Sequence, residues 1–184
     1  VKHDLADKDL TGAAEAFRRL CASDRKVNDQ AGSILTLIVW RAGQVLSGVP
    51  GVRAFALRRL CQLADAVWVR GVIGAELPPQ VVAGPGLCLA HAGRGVVLHP
   101  ETRIGADVKI YHQVTVGVRD ANGAPEIGDR AMLGAGSKIL GPIVLGDGTQ
   151  VGANAVLLTS TETDSSYVGI PARRVAGGQG EMKW

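Results

Sequence analysis

The sequence predicts a mainly β fold: a β-helix of six-residue repeats, preceded by a small α-helical domain. Three observations lead there. Ile127, Leu133, Ile139, Leu145, Val151 and Leu157 follow one another at steps of six, and Leu98, Ile104, Ile110 and Val116 form an earlier run with the same step. Glycine recurs close behind these positions, at Gly105, Gly117, Gly128, Gly134, Gly146 and Gly152. The first seventy or so residues carry none of this register. A step of six fits neither a helix of period 3.6 nor a strand of period 2. It fits a solenoid in which three short strands and their corners close one turn of about 18 residues.

The elements follow in order. Residues 1–73 read as a helical N-terminal domain, with helices over Asp4–Cys21, Ser33–Leu46 and Val52–Arg70. The Gly-Val-Pro-Gly run at Gly48–Gly51 separates the last two. This part is expected to pack on the solenoid or on other subunits. Residues 74–176 read as the β-helix domain, whose turns run from Gly74 to Ile170, enough for roughly five turns of about 18 residues. The aliphatic residues are expected to point inward, and the glycines to make corners, where positive φ is cheap only without a Cβ. Two irregularities break the register. Val118–Pro125 (VRDANGAP) reads as a loop ejected from a corner, with Asp120, Asn122 and Gly123 as turn residues. A second slip falls between Cys88 and Leu98, around His91–Gly95. Departures from a repeat are where function tends to sit. A polar stretch, Thr159–Ser166, leads to VGIPARRV (Val168–Val175), which closes the solenoid. Residues 177–184 read as a flexible tail.

Composition narrows the function classes. Aromatics make up 4% of the chain, which suits a narrow core stacked from Val, Ile, Leu and Ala. The formal charge of +3 comes without a basic run interleaved with aromatics, so nucleic acid is not an expected partner. Cys21, Cys61 and Cys88 form neither a CxxC pair nor a disulfide framework, which fits a reducing cytoplasm. The longest apolar stretches, such as Ile34–Trp40, are too short to span a bilayer, so no membrane partner is expected. No signal peptide is visible, although the chain starts at Val1.

More than half of the chain resembles one family. The segments GAELPPQVVAGPGLCLAHAG, IYHQVTVG, IGDRAMLGAGSKILGPIVLGDGTQVGANAVLL and VGIPAR are similar to the serine acetyltransferase family of hexapeptide-repeat acyltransferases. The resemblance implies a left-handed parallel β-helix assembled as a homo-trimer, with the option of two trimers paired through the helical domain. It implies acetyl-CoA as co-substrate, lying along a groove between neighbouring solenoids, and a small-molecule hydroxyl acceptor.

His91 is the expected catalytic residue. Acyl transfer to a hydroxyl calls for a base that works near neutral pH, and imidazole suits that task. The family's catalytic His aligns with His91, and its orienting carboxylate, fifteen residues earlier, with Glu76, a Glu where typical members have Asp. A carboxylate on one ring nitrogen fixes the tautomer and stabilises the imidazolium. One near-turn of separation is expected to stack the two positions on neighbouring turns. His112 lies one turn plus three residues after His91, so it need not be close to His91 within one subunit. Its expected role is to support the site, with interfacial packing as the competing one. His99 fills a corner, and His3 has no assigned role. Donor binding falls on Ala135, Gly136 and Ala153, small residues that let the pantetheine arm approach the backbone. Lys138, Arg173 and Arg174 are candidates to meet the phosphates of CoA.

The chain departs from the family pattern on the acceptor side. Typical members carry an Asp just before the catalytic His, where this chain has Ala90, and an Arg-His pair where it has Gly123–Ala124. Arg94 and Arg119 are the candidates to supply the missing positive charge. Typical members end in an Ile that docks into a partner sulfhydrylase. This sequence ends in Lys183–Trp184, which does not support that partnership. The leading reading is a CoA-dependent O-acetyltransferase without a metal. The alternatives are an acyltransferase with a non-serine acceptor in specialised metabolism and a non-catalytic solenoid scaffold. A zinc hydratase on a similar solenoid needs three suitable ligands, and the spacing of His91, His99 and His112 does not match that family.

Overall fold

The computed structural model describes residues 9–120 and 123–175. His3, the start expected for the first helix at Asp4 and the tail from Gly177 lie outside them. Helix α1 spans Leu10–Val27 and runs past Cys21, where the sequence reading ended it. Asp9 caps its N-terminus through a hydrogen bond from the Gly12 amide. Arg25 and Lys26 complement the dipole of its last turn. Helix α2 spans Ala31–Leu46, and α3 spans Val52–Ala64. Between them Gly48 and Gly51 take φ of 84° and 102°, conformations that suit a residue without a Cβ. Beyond α3 the chain continues as a π-helix over Asp65–Ile73 and stops at Gly74 in the left-handed region. Among the described residues no helix is long and apolar enough to cross a membrane.

The rest is a parallel β-helix with three faces. The strands are β1 (Val82–Ala83), β2 (Cys88–Leu89), β3 (Val97–Leu98), β4 (Arg103–Ile104), β5 (Lys109–Ile110), β6 (Thr115–Gly117) and β7 (Glu126–Ile127). They continue as β8 (Met132–Leu133), β9 (Lys138–Leu140), β10 (Val144–Leu145), β11 (Gln150–Val151), β12 (Val156–Leu157), β13 (Ser166–Val168) and β14 (Arg173–Arg174). The first face stacks β1-β4-β7-β10, the second β2-β5-β8-β11-β13, and the third β3-β6-β9-β12. Strand β14 turns back antiparallel on β13 and closes the end. Four strands on each of two faces make about four turns, fewer than the roughly five expected. The irregular segments consume the difference.

The six-residue step has the expected physical meaning. Columns such as Leu89, Ile110, Leu133 and Val151 are paired strand to strand and point inward, fully buried. Truncating one of them to Ala would cost about 2–5 kcal/mol. The glycines do a different job from the one expected. None of Gly105, Gly117, Gly128, Gly134, Gly146 and Gly152 takes positive φ. Most are needed because the next turn passes too close for a Cβ. A Cβ on Gly134 would lie 2.6 Å from the Val151 oxygen, and one on Gly105 2.7 Å from the Asp129 nitrogen. The left-handed corner positions fall instead on Gly86, Asp107, Arg130 and Gly148 at one edge, and on Gln113, Gly136 and Asn154 at another.

The helical segment seals the open edge of the first turn. Among the described residues strand β2 has a neighbour on one side only. On its other side Asn28 imitates a strand: its amide donates to the Leu87 oxygen at 2.8 Å and its oxygen accepts from the Leu89 amide at 3.0 Å. Gln44 donates to the Val81 oxygen at 2.6 Å. Asp24 accepts from the Leu87 amide at 2.9 Å. Arg41 is wholly buried, pairs with Asp24 at 2.8 Å, and donates to the Ala83 and Gly84 oxygens. Side chains thus satisfy the edge hydrogen bonds that a further turn would have met, which also blocks strand addition there. Leu37 and Trp40 of α2 share one core with the solenoid.

Candidate active site

The corner from β2 to β3 holds the candidate base. Val97 pairs with Thr115, eighteen residues on, whereas Cys88 pairs with Lys109, twenty-one on. Three extra residues therefore lie between Leu89 and Val97. His91 and Ala92 both take the left-handed conformation, with φ of 54° and 63°, and Gly93 follows at 72°. One such non-glycine residue costs roughly 1–2 kcal/mol, and strain of this kind clusters at functional sites. The result is a tight bump that presents the imidazole outward, exposed to solvent.

His112 stands directly against it. The ring centroids of His91 and His112 are 5.0 Å apart and meet edge to face. This corrects the expectation that the two need not be close within one chain. The insertion follows His91, so the twenty-one-residue register of β2 and β5 carries straight through to the two histidines. Their spacing is that of the turn at this point. Among the described residues the buried Nδ1 of His112 has no hydrogen-bond partner.

Glu76 sits elsewhere. Its backbone bridges to Val97, so it belongs to the third face, one turn before β3. The Glu76 amide donates to the Val96 oxygen, and the Leu98 amide to the Glu76 oxygen. His91 therefore stacks on His112, and Glu76 on Val97, not on each other as expected. Among the described residues no hydrogen bond or ion pair joins Glu76 to His91.

The donor candidates share the histidine corner. The registers of β5 with β8 and of β8 with β11 continue the column His91, His112, Ala135, Ala153, with Gly136 beside it. Gly136 has φ of 71°, and its amide donates to the His112 oxygen at 2.9 Å. Lys138 is already engaged: its ammonium donates to the Gln113 oxygen and the Thr115 hydroxyl. Arg173 and Arg174 lie exposed on β14, where Arg174 pairs with Glu162 at 2.6 Å. Arg119 pairs with the adjacent Asp120. Arg94 is exposed at the end of the His91 corner. His99 has a local role, its Nδ1 accepting from the Glu101 amide.

A groove of about 510 Å³ opens on the other side of His91. Its floor is Cys88–His91 with Lys109 and Tyr111, so Ala90 lines it. Its wall is the α1–α2 connection, including Arg25, Asp29 and Gln30. The sequence reading missed this wall, because nothing in a repeat shows which helical residues will face it. The Lys109 pKa is raised chiefly by Tyr111, over whose ring its ammonium sits at 4.9 Å. The Cys88 thiol is raised, first by burial. Among the described residues no group of three or more His, Cys, Asp or Glu is placed to hold a metal ion.

A regular solenoid of six-residue repeats, with a strained histidine corner beside a groove, places the chain among hexapeptide-repeat proteins. A family model described as bacterial transferase hexapeptide (six repeats) matches residues 124–159. A serine acetyltransferase from Helicobacter pylori strain J99 is 42% identical over 124 residues, covering 66% of this chain and 69% of the relative. One from Mycobacterium tuberculosis is 37% identical over 124 residues, and there the chain spans 54% of the relative's length. Among solved structures, soybean serine acetyltransferase complexed with serine is 29% identical, with a TM-score of 0.70 over 88% of this chain and 70% of that one. The enzyme from Brucella abortus strain S19 shares the fold at 20% identity, with a TM-score of 0.73 over 93% of this chain and 71% of that one. The chain belongs to the serine acetyltransferase family.

Proposed function

We infer that the chain transfers an acetyl group from acetyl-CoA to the hydroxyl of a small acceptor, with His91 as general base. The observation that carries this reading is the His91 corner: an exposed imidazole on a left-handed turn, against His112 and at the mouth of the groove. His91 takes the acceptor proton as the hydroxyl oxygen attacks the thioester carbonyl. CoA leaves as the thiol, and the ester stays on the acceptor. Holding the acceptor in the groove and the donor along the corner column, on the two sides of His91, supplies much of the rate gain, and no acyl-enzyme is needed. On this reading the Glu76 carboxylate turns to the imidazole when substrate is bound. His112 packs edge to face on the base and holds the imidazole in place.

The donor runs down the corner column over Ala135, Gly136 and Ala153, where small side chains leave the backbone open. A serine acetyltransferase of known structure in complex with CoA shares this fold, with a TM-score of 0.71 at 21% identity. Arg173 and Arg174 lie beyond the last turn, where the phosphates of CoA would end, and Lys138 stays with its own turn. Arg94 is the better placed of the two candidate acceptor cations, since Arg119 already has an acidic neighbour.

The assembly is a homo-trimer, and a second trimer pairs with it through the helical segment. Val52, Ala56, Leu60, Leu63 and Val67 form an exposed apolar stripe at helical spacing on α3 and its continuation, and a second copy of this helix would cover it. Leu60→Lys with Leu63→Lys is expected to lower the mass measured by light scattering to that of a smaller assembly. An unchanged mass would remove the stripe from the interface.

The experiment that tests the activity is CoA release from acetyl-CoA, followed with a thiol reagent, across L-serine, L-homoserine and a set of sugars. Release that depends on L-serine makes the chain a serine acetyltransferase despite Ala90 and Gly123–Ala124. Release with another acceptor assigns the same chemistry to a changed substrate. Release with none, despite measurable acetyl-CoA binding, would favour the scaffold reading.

A further inference from the structure

Among the described residues the left-handed corner that carries His91 has no further strand stacked above β2 to hold its shape. Every later corner on that edge is shorter, with a single left-handed residue, Gln113, Gly136 or Asn154, stacked between turns. The first corner is longer, more strained and open on one side. What meets it there is the N-terminal turn of α2. Ser33 is buried in that turn. Its hydroxyl donates to the Leu89 oxygen at 2.7 Å and accepts from the Ala92 amide at 3.1 Å. These two groups flank His91 in the chain, so one hydroxyl ties the corner across its mouth. The residue before it is Gly32, whose missing Cβ would come within 3.1 Å of the Ala92 Cβ, so the helix can approach closely at this point. Asn28 fixes the strand leading in, through Leu87 and Leu89.

We propose that Ser33 is the positioning residue for His91: its hydroxyl staples the Leu89–Ala92 turn and so fixes where the imidazole stands against His112 and the groove. The proposal rests on the reading of His91 as the base. Ser33 borders the groove, but its hydroxyl is committed to the Leu89 oxygen and the Ala92 amide. It acts through the backbone, and the helical segment thereby becomes part of the catalytic apparatus instead of a mere cover. A staple of this kind serves a reaction in which a misplacement near 1 Å can cost about 100-fold in rate.

The test compares Ser33→Ala with Thr36→Val in the full chain. Thr36 is buried on the same helix and loses a comparable hydrogen bond, the one it accepts from Trp68, without touching the corner. Two readouts are taken. The first is kcat and KM for acetyl-CoA and for the best acceptor. The second is the set of ring signals of isotope-labelled histidine, with His91 assigned by its loss in His91→Ala. Ser33→Ala is expected to lower kcat by roughly 10- to 100-fold while KM for acetyl-CoA stays within about twofold. It is also expected to shift or split the His91 ring signal and leave His99 unmoved. Thr36→Val is expected to leave kcat and the His91 signal as in the parent protein. An unmoved His91 signal in Ser33→Ala, or equal losses of kcat in both variants, would overturn the proposal. Full turnover in His91→Ala would overturn the parent reading and the catalytic half of this one. The ring signals would then judge the staple alone.

Discussion

Replacing Arg41 by Met tests how firmly the helical segment is fastened to the solenoid. The guanidinium is wholly buried and makes five hydrogen bonds. Two go to Asp24 at 2.8 and 3.2 Å, one to Gln44 at 3.1 Å, and two to the Ala83 and Gly84 oxygens at 2.7 and 2.6 Å. Arg41→Met keeps most of the stem and removes all five. Asp24, 2% exposed, is left with the Leu87 amide as its remaining partner. Breaking a buried pair from one side costs about 3–5 kcal/mol, because the surviving charge stays out of water. That is a large share of a typical stability of about 5–15 kcal/mol. For a chain of this size it corresponds to a fall in Tm of roughly 6–20 °C. Urea unfolding and calorimetry measure it. Asp24→Leu together with Arg41→Met removes both charges and should recover only part of the loss, since the Leu87 amide and the Ala83 and Gly84 oxygens lose these partners. A loss below about 1 kcal/mol in the single variant would refute the reasoning, since the pair would then be solvated or free to relax.

Two further outcomes follow from the same geometry. Gly134→Ala sets a Cβ 2.6 Å from the Val151 oxygen and 2.7 Å from the Ala153 nitrogen, so urea unfolding should show a loss of about 1–3 kcal/mol, and KM for acetyl-CoA should rise with it. Unchanged stability would mean that the turns can separate without penalty. In a chain carrying Cys21→Ser and Cys61→Ser, Cys88 should react slowly with iodoacetamide at neutral pH. Burial raises its thiol pKa, so the thiolate fraction is below the ordinary one there, and the rate should keep climbing above pH 9. Modified protein should lose turnover, because Cys88 lines the groove with His91. Fast reaction at pH 7 with activity intact would place the thiol outside the groove.

The repeat was legible because a solenoid writes its geometry into the chain. Leu133 and Val151 stack because each turn repeats the last, so the spacing survives as a pattern. The loop after Val116 and the slip after Cys88 were legible for the same reason, as breaks in that pattern. The role of the glycines was not. Gly134 and a positive-φ glycine such as Gly136 look alike in sequence, and only the packing of the next turn separates them. The pairing of Glu76 with Val97 and of His91 with His112 depends on which side of His91 the three extra residues fall, and the step of six does not say. The edge contacts of Asp24, Asn28, Ser33 and Arg41 join segments far apart in the chain, and no periodicity links them.

The most direct test of the account is turnover in His91→Asn. Asn keeps a similar shape and tolerates the left-handed conformation, but it offers no base. The account predicts that acetyl-CoA still binds with an affinity within a few-fold of the parent protein, that the unfolding midpoint is nearly unchanged, and that acceptor-dependent CoA release falls by about 100-fold or more. Turnover close to that of the parent protein, with binding intact, would contradict the assignment of His91 as the base.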